Sequence, residues 1–148
     1  MTELVVLVGT DFSEDADRAV LHAFEVAKAI GASVELVHVT PELKPLFGGS
    51  KQSRAAVAQL QDEEVAESRR ALEVFVAEAE VPARAHVYVC VGDTCQALLD
   101  HANEIDAAMI VVGRQGGGAA GRFLLGSLTD KLVRCSDRPV LVVPPTKD

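Results

Sequence analysis

Residues 4–31 read LVVLVGTDFSEDADRAVLHAFEVAKAIG, and their periodicity decides the fold. Leu4 to Val8 is an unbroken apolar, largely β-branched run, the pattern of a strand covered on both faces, which belongs to a parallel sheet. After Gly9, Thr10 and Asp11 the apolar period lengthens. Ala16, Ala19, Val20, Ala23, Ala27 and Ile30 recur at helical spacing, and Gly31 supplies a stop. The segment is therefore a β-loop-α unit.

The same alternation continues outward. Ser33 to Val39 (SVELVHV) reads as a second strand, and 41–54, with two prolines and two glycines, as a loop. Helical spacing returns from Ala55 to Ala79 through Val57, Leu60, Val65, Leu72, Phe75 and Val76, with Pro82 as its limit. The acidic stretch Asp62, Glu63, Glu64, Glu67 reads as the solvated face of that helix. Residues 85–91 (AHVYVCV) form a third strand. Asp93 with Gln96 resembles a capping box for a helix through Ala97, Leu98 and Ala102. Met109 to Val112 is a fourth strand ending at Gly113, 114–125 a glycine-rich loop, Ser127 to Cys135 a helix, and Val140 to Val143 a last strand after Pro139. Strict alternation with right-handed crossovers predicts an α/β fold: a doubly wound, five-stranded parallel sheet with helices on both faces.

Length and charge bound the function. A chain of 148 residues buries roughly 68–70% of its unfolded surface, enough for one domain over 1–148 without a structural metal or disulfides. No apolar stretch reaches the roughly 18 residues of a membrane span, and no basic segment precedes the first apolar run as in a secretory signal. A cytoplasmic protein is expected. A formal charge of −8 speaks against nucleic acid and anionic membranes as partners, since both are bound by neutralising phosphates. Cys90, Cys95 and Cys135 are odd in number and form no C-x-x-C, so they read as buried or half-buried thiols, with redox sensing by Cys90 and Cys95 the alternative.

In a doubly wound sheet, ligands bind beyond the carboxyl ends of the strands where strand order reverses. That directs attention to the turns at 9–13, 39–41 and 113–127. The last, GRQGGGAAGRFLLGS, combines glycines that let backbone N–H groups approach an anion with a following helix N-terminus. A phosphate fits it; a small-residue crossover loop is the plainer alternative. G-x-x-x-x-G-K-[ST] is absent. Gly116-x-Gly118-x-x-Gly121 matches G-x-G-x-x-G, but it lies in the last unit with 27 residues left, where no second mononucleotide half can follow.

A different spacing fits: Gly113, two residues, Gly116, nine residues, then Gly126-Ser127. With VGTDFS, VHV, VVG, LLGSLTDKLV and RPVLVV in order along the chain, the sequence resembles the universal stress protein family, and its ATP-binding branch in particular. The resemblance implies a Rossmann-like fold that binds ATP, with Mg²⁺ held through the phosphates and no metal held by the protein alone. Gly9, Thr10 and Asp11 would hold the ribose or adenine side, and Val39 would offer backbone groups to adenine. Val112, Gly113, Arg114, Gly116, Gly126, Ser127 and Leu128 would surround the phosphates. It further implies a homodimer through Val140, Leu141, Val142 and Val143, and a protein partner that the sequence does not identify.

Each role has a structural counterpart. Asp11 or Ser13 can cap the first helix, Ser127 with Asp130 looks like another cap, and Val39 packs its side chain in the core. The family commonly carries Ser-His after the first motif glycine; here Arg114 and Gln115 stand there, and Gly116-Gly117-Gly118 makes the loop costlier to order. Arg122 and Lys131 are candidate compensating cations. His22, His38, His86 and His101 form no assembled acid–base pair with a nucleophile, so at most slow hydrolysis or autophosphorylation is expected. His38 reads as a core residue.

Overall fold

The front of the chain forms β1 (Val5–Gly9), in which Val6, Leu7 and Val8 are sealed from solvent. The structure is a computed structural model and describes residues 3–46, 48–79, 84–114 and 125–145. A strand apolar on both faces needs a layer on each side. α1 (Glu14–Ile30) supplies one through Ala16, Ala19, Val20, Ala23, Phe24 and Ala27. The Ser13 Oγ accepts from the Ala16 N–H at its start, and Gly31, left-handed at φ 72°, closes it by donating to the Ala27 carbonyl.

The remaining elements are β2 (Ser33–Thr40), α2 (Lys51–Glu78), β3 (Ala85–Val91), α3 (Thr94–Glu104), β4 (Met109–Gly113), α4 (Ser127–Cys135) and β5 (Val140–Val143). The five strands form one parallel sheet in the order β3-β2-β1-β4-β5. The chain runs outward from β1 to β3, returns to the other side of β1, and runs outward again to β5. Helices α1 and α2 cover one face around Val8, Leu36 and Val111; α3 and α4 cover the other around Leu7, Val37 and Ile110. The doubly wound architecture read from the sequence is the one observed.

Local departures have local causes. α2 begins at Lys51 rather than Ala55, because the Ser50 hydroxyl accepts from the Ser53 N–H and caps a turn that carries no apolar residue. Its apolar positions are poorly used: Leu72 is buried, whereas Leu60 is 56% exposed. The capping box at α3 is half formed. Asp93 accepts from the Gln96 N–H, but the Gln96 amide donates to Asp100. Cys95 is buried and Cys90 half-buried as expected, while Cys135 is exposed at the end of α4. Pro82 lies outside the described residues. No helix among the described residues is long and apolar enough to cross a membrane.

Candidate functional site

Because strand order reverses at β1 and β4, the turns that leave these two strands diverge and open a cleft of about 100 Å³ above their carboxyl ends. Gly9, Thr10 and Asp11 line it from β1, Val39 from β2, Val112 and Gly113 from β4, and Leu128 from α4. A side chain at Gly9 would press to 3.3 Å on Leu98, so the glycine lets α3 approach the end of β1. Arg114 follows Gly113, and Gly126 and Ser127 open α4 immediately before Leu128. Gly116, with Gln115, Gly117, Gly118 and Arg122, lies outside the described residues.

The first turn is tightly braced. The Thr10 hydroxyl accepts from the Phe12 N–H and the Asp11 carboxylate from the Ser13 N–H, both at 3.0 Å. Phe12 is held left-handed at φ 65°, a conformation that costs a non-glycine residue about 1–3 kcal/mol. The capping role thus falls to Ser13, and Asp11 holds the turn that precedes it. Burial pushes the Asp17 carboxyl in α1 upward, with the Asp11 and Glu14 carboxylates adding to the effect.

His38 departs from its expected place in the core. It is half-buried on the cleft wall, with its ring 4.6 Å from the Phe12 ring. Its Nδ1 lies 2.8 Å from the Thr10 carbonyl oxygen. A carbonyl only accepts, so Nδ1 carries the hydrogen of this contact. β2 outruns β1 on this side. The Thr10 N–H donates to the Val37 carbonyl, and backbone direction alternates along a strand, so the peptide groups of Val39 face the space beyond the end of β1.

At the other end of the cleft, two bonds join the halves of the glycine motif. The Gly126 N–H donates to the Arg114 carbonyl at 2.9 Å, and the Thr129 hydroxyl donates to the Gly113 carbonyl at 2.8 Å. The N-cap of α4 is Gly126, with Ser127 the first helical residue, which corrects the expectation of a Ser127–Asp130 cap. Asp130 pairs instead with Arg134, at 3.2 Å. The first N–H groups of a helix have no acceptor within it and carry about half a positive charge, so this terminus suits an anion. Thr129, Thr94, Leu98 and Val37 also line the cleft and were not singled out from sequence. Their signal is weak, because a threonine inside a helix or an apolar residue in a strand reads first as packing.

Other chemistry is limited. Among the described residues no group of three or more His, Cys, Asp or Glu side chains can hold a metal ion. The Cys90 thiol is pushed up to about 11, by burial first and then by the Glu104 and Glu35 carboxylates, which is the opposite of an activated thiolate.

A doubly wound parallel sheet with a cleft at its strand reversal and a helix N-terminus behind its fourth strand defines an α/β domain of the Rossmann-like kind. The chain belongs to the universal stress protein family, whose model matches residues 5–144. It is 33% identical over 138 residues to a universal stress protein of Thermus aquaticus, covering 93% of this chain and 96% of that one. It is 29% identical over 152 residues to universal stress protein MJ0577 of Methanocaldococcus jannaschii, covering 93% of each. The solved structure of MJ0577 superposes with a TM-score of 0.83, covering 100% of both chains. A universal stress protein solved in complex with cAMP aligns over 99% of this chain and 100% of its own, with 26% identity and a TM-score of 0.69.

Proposed function

We propose that this universal stress protein is a cytoplasmic, ATP-binding homodimer whose nucleotide state is read by a protein partner. The observation that carries the reading is the pair of bonds from Gly126 to Arg114 and from Thr129 to Gly113. They bring both ends of the glycine motif to the cleft beside the N-terminus of α4. The amides of Ser127 and Leu128 serve the phosphates there, with Gly113 and Gly126 leaving room for close approach and Mg²⁺ carried on the phosphates. Asp11 serves the ribose, and the Val39 peptide groups serve the edge of adenine. The cAMP complex of a relative supports an adenine nucleotide as the ligand class. No catalytic group is assigned.

Calorimetric titration with ATP, ADP and AMP in the presence of Mg²⁺ tests this, together with mass spectrometry of the nucleotide released on denaturing gently purified protein. Micromolar binding is expected. Gly113→Ala combined with Gly126→Ala should weaken it about tenfold or more, equivalent to about 1.4 kcal/mol. Equal affinity in the double variant would overturn the proposal.

A further inference from the structure

The pairing of β1 with β2 ends with Gly9 beside Val37, yet β2 runs on to Thr40, so residues 38–40 keep β3 on one flank and have no strand on the other. Backbone direction alternates along a strand. The peptide groups of Thr40 turn to β3, where its carbonyl accepts from the Gly92 N–H at 2.9 Å. Those of Val39 turn to the flank that β1 has vacated, and Val39 lines the cleft. This open peptide edge therefore takes its position from the residues on either side of it, and after Thr40 the chain leaves the sheet.

One side chain of α2 clasps that departure. Gln61 Oε1 accepts from the Leu43 N–H at 2.7 Å, and its Nε2 donates to the Thr40 hydroxyl and to the Pro41 carbonyl, both at 3.3 Å. A single amide thus engages Thr40, Pro41 and Leu43, the chain directly after Val39. Thr40 is buried, and Gln61 and Leu43 are half-buried. Ahead of Leu72 no residue of α2 is buried, so a polar clasp stands where an apolar contact would ordinarily dock the helix.

We propose that Gln61 is a positioning residue for base selection: its clasp on Thr40, Pro41 and Leu43 holds the Val39 peptide groups where they accept adenine and refuse guanine. The role rests on a nucleotide occupying the cleft with its base at Val39. Adenine presents an amino donor where guanine presents an acceptor oxygen, so a carbonyl held in place bonds the first and meets the second oxygen to oxygen. A rigid peptide enforces that difference because it cannot turn its N–H toward the wrong base, whereas a slack one can. Gln61 lies outside the cleft lining, so it acts through the backbone and not by touching the ligand.

Calorimetric titration of the full chain with ATP and with GTP, in the presence of Mg²⁺, gives the ratio of the two affinities, and urea unfolding gives the stability of each variant separately. The wild type should bind ATP about tenfold or more tighter than GTP. Gln61→Met keeps the length of the side chain and removes its donor and its acceptor; it should narrow the ratio about threefold to tenfold, mainly by weakening ATP. Gln61→Glu keeps the acceptor for Leu43 and loses the donor, and should narrow the ratio in the same direction, which covers the case of a Met variant that does not fold. Gln59→Met, at an exposed position of the same helix where Gln59 donates to Glu63, should leave the ratio unchanged. A clasp with a purely structural role would lower stability, or both affinities alike, and leave the ratio where it was. Overturning results are that unchanged ratio in both Gln61 variants, an equal narrowing in Gln59→Met, or a wild type that binds the two nucleotides equally. ATP binding with any of these overturns the role of Gln61 and leaves nucleotide binding standing; no binding of ATP by the wild type overturns both.

Discussion

The Thr129 hydroxyl reaches back from the first turn of α4 to the carbonyl of Gly113, so one side chain fixes the distance between the end of β4 and the helix that follows the glycine loop. Thr129 is 2% exposed, and the bond has no water to replace it. Thr129→Val keeps the shape and removes the donor. We expect a loss of about 1–3 kcal/mol in urea unfolding with an unchanged slope, a weaker affinity for ATP, and recovery of both in Thr129→Ser. Sequence reading located Gly113 and Gly126 by their spacing but passed over Thr129, because its partner lies 16 residues away and only the turn of the chain brings them together. His38 was missed for a related reason. A histidine in an apolar strand reads as packing until the shorter neighbouring strand ends and leaves it beside Thr10. Asp11 and Ser13, by contrast, were legible because their bonds are made within three residues.

Among the elements, strands were more legible than helix α2. β1, β4 and β5 are continuous apolar runs because a parallel sheet is covered on both sides, and that pattern survives in one dimension. α2 has 28 residues and buries Leu72 alone, so its apolar spacing overstated its core face and its start depended on Ser50 rather than on burial. Leu72 is the helix's fully buried anchor, with Phe75 and Val76 packed part-buried against the same core. Leu72→Ala should cost about 2–5 kcal/mol, whereas Leu60→Ala, at an exposed position, should change stability by less than about 0.5 kcal/mol. Chemical denaturation of the two variants side by side tests the contrast.

On the scale of the whole molecule, the sheet has two edges of different character. β3 is the longer, while β5 is four apolar residues with Val140, Leu141 and Val142 partly exposed. An apolar edge with unpaired backbone groups favours pairing with another strand. The proposed homodimer through β5 predicts a mass of twice 15.7 kDa in light scattering, and monomer for Leu141→Lys. A wild-type monomer at working concentration would sink it.

The central place of β1 also bears on synthesis. Made first, it gains β2 as soon as the first crossover is complete, since Val6 pairs with Val34. Its opposite flank pairs with β4, where Val6 meets Met109, so that flank stays bare until most of the chain has left the ribosome. Nascent chains halted before residue 109 therefore present an apolar strand with one naked side at the heart of the future domain. They should be held by chaperones or aggregate, while chains released beyond β5 close the sheet around it.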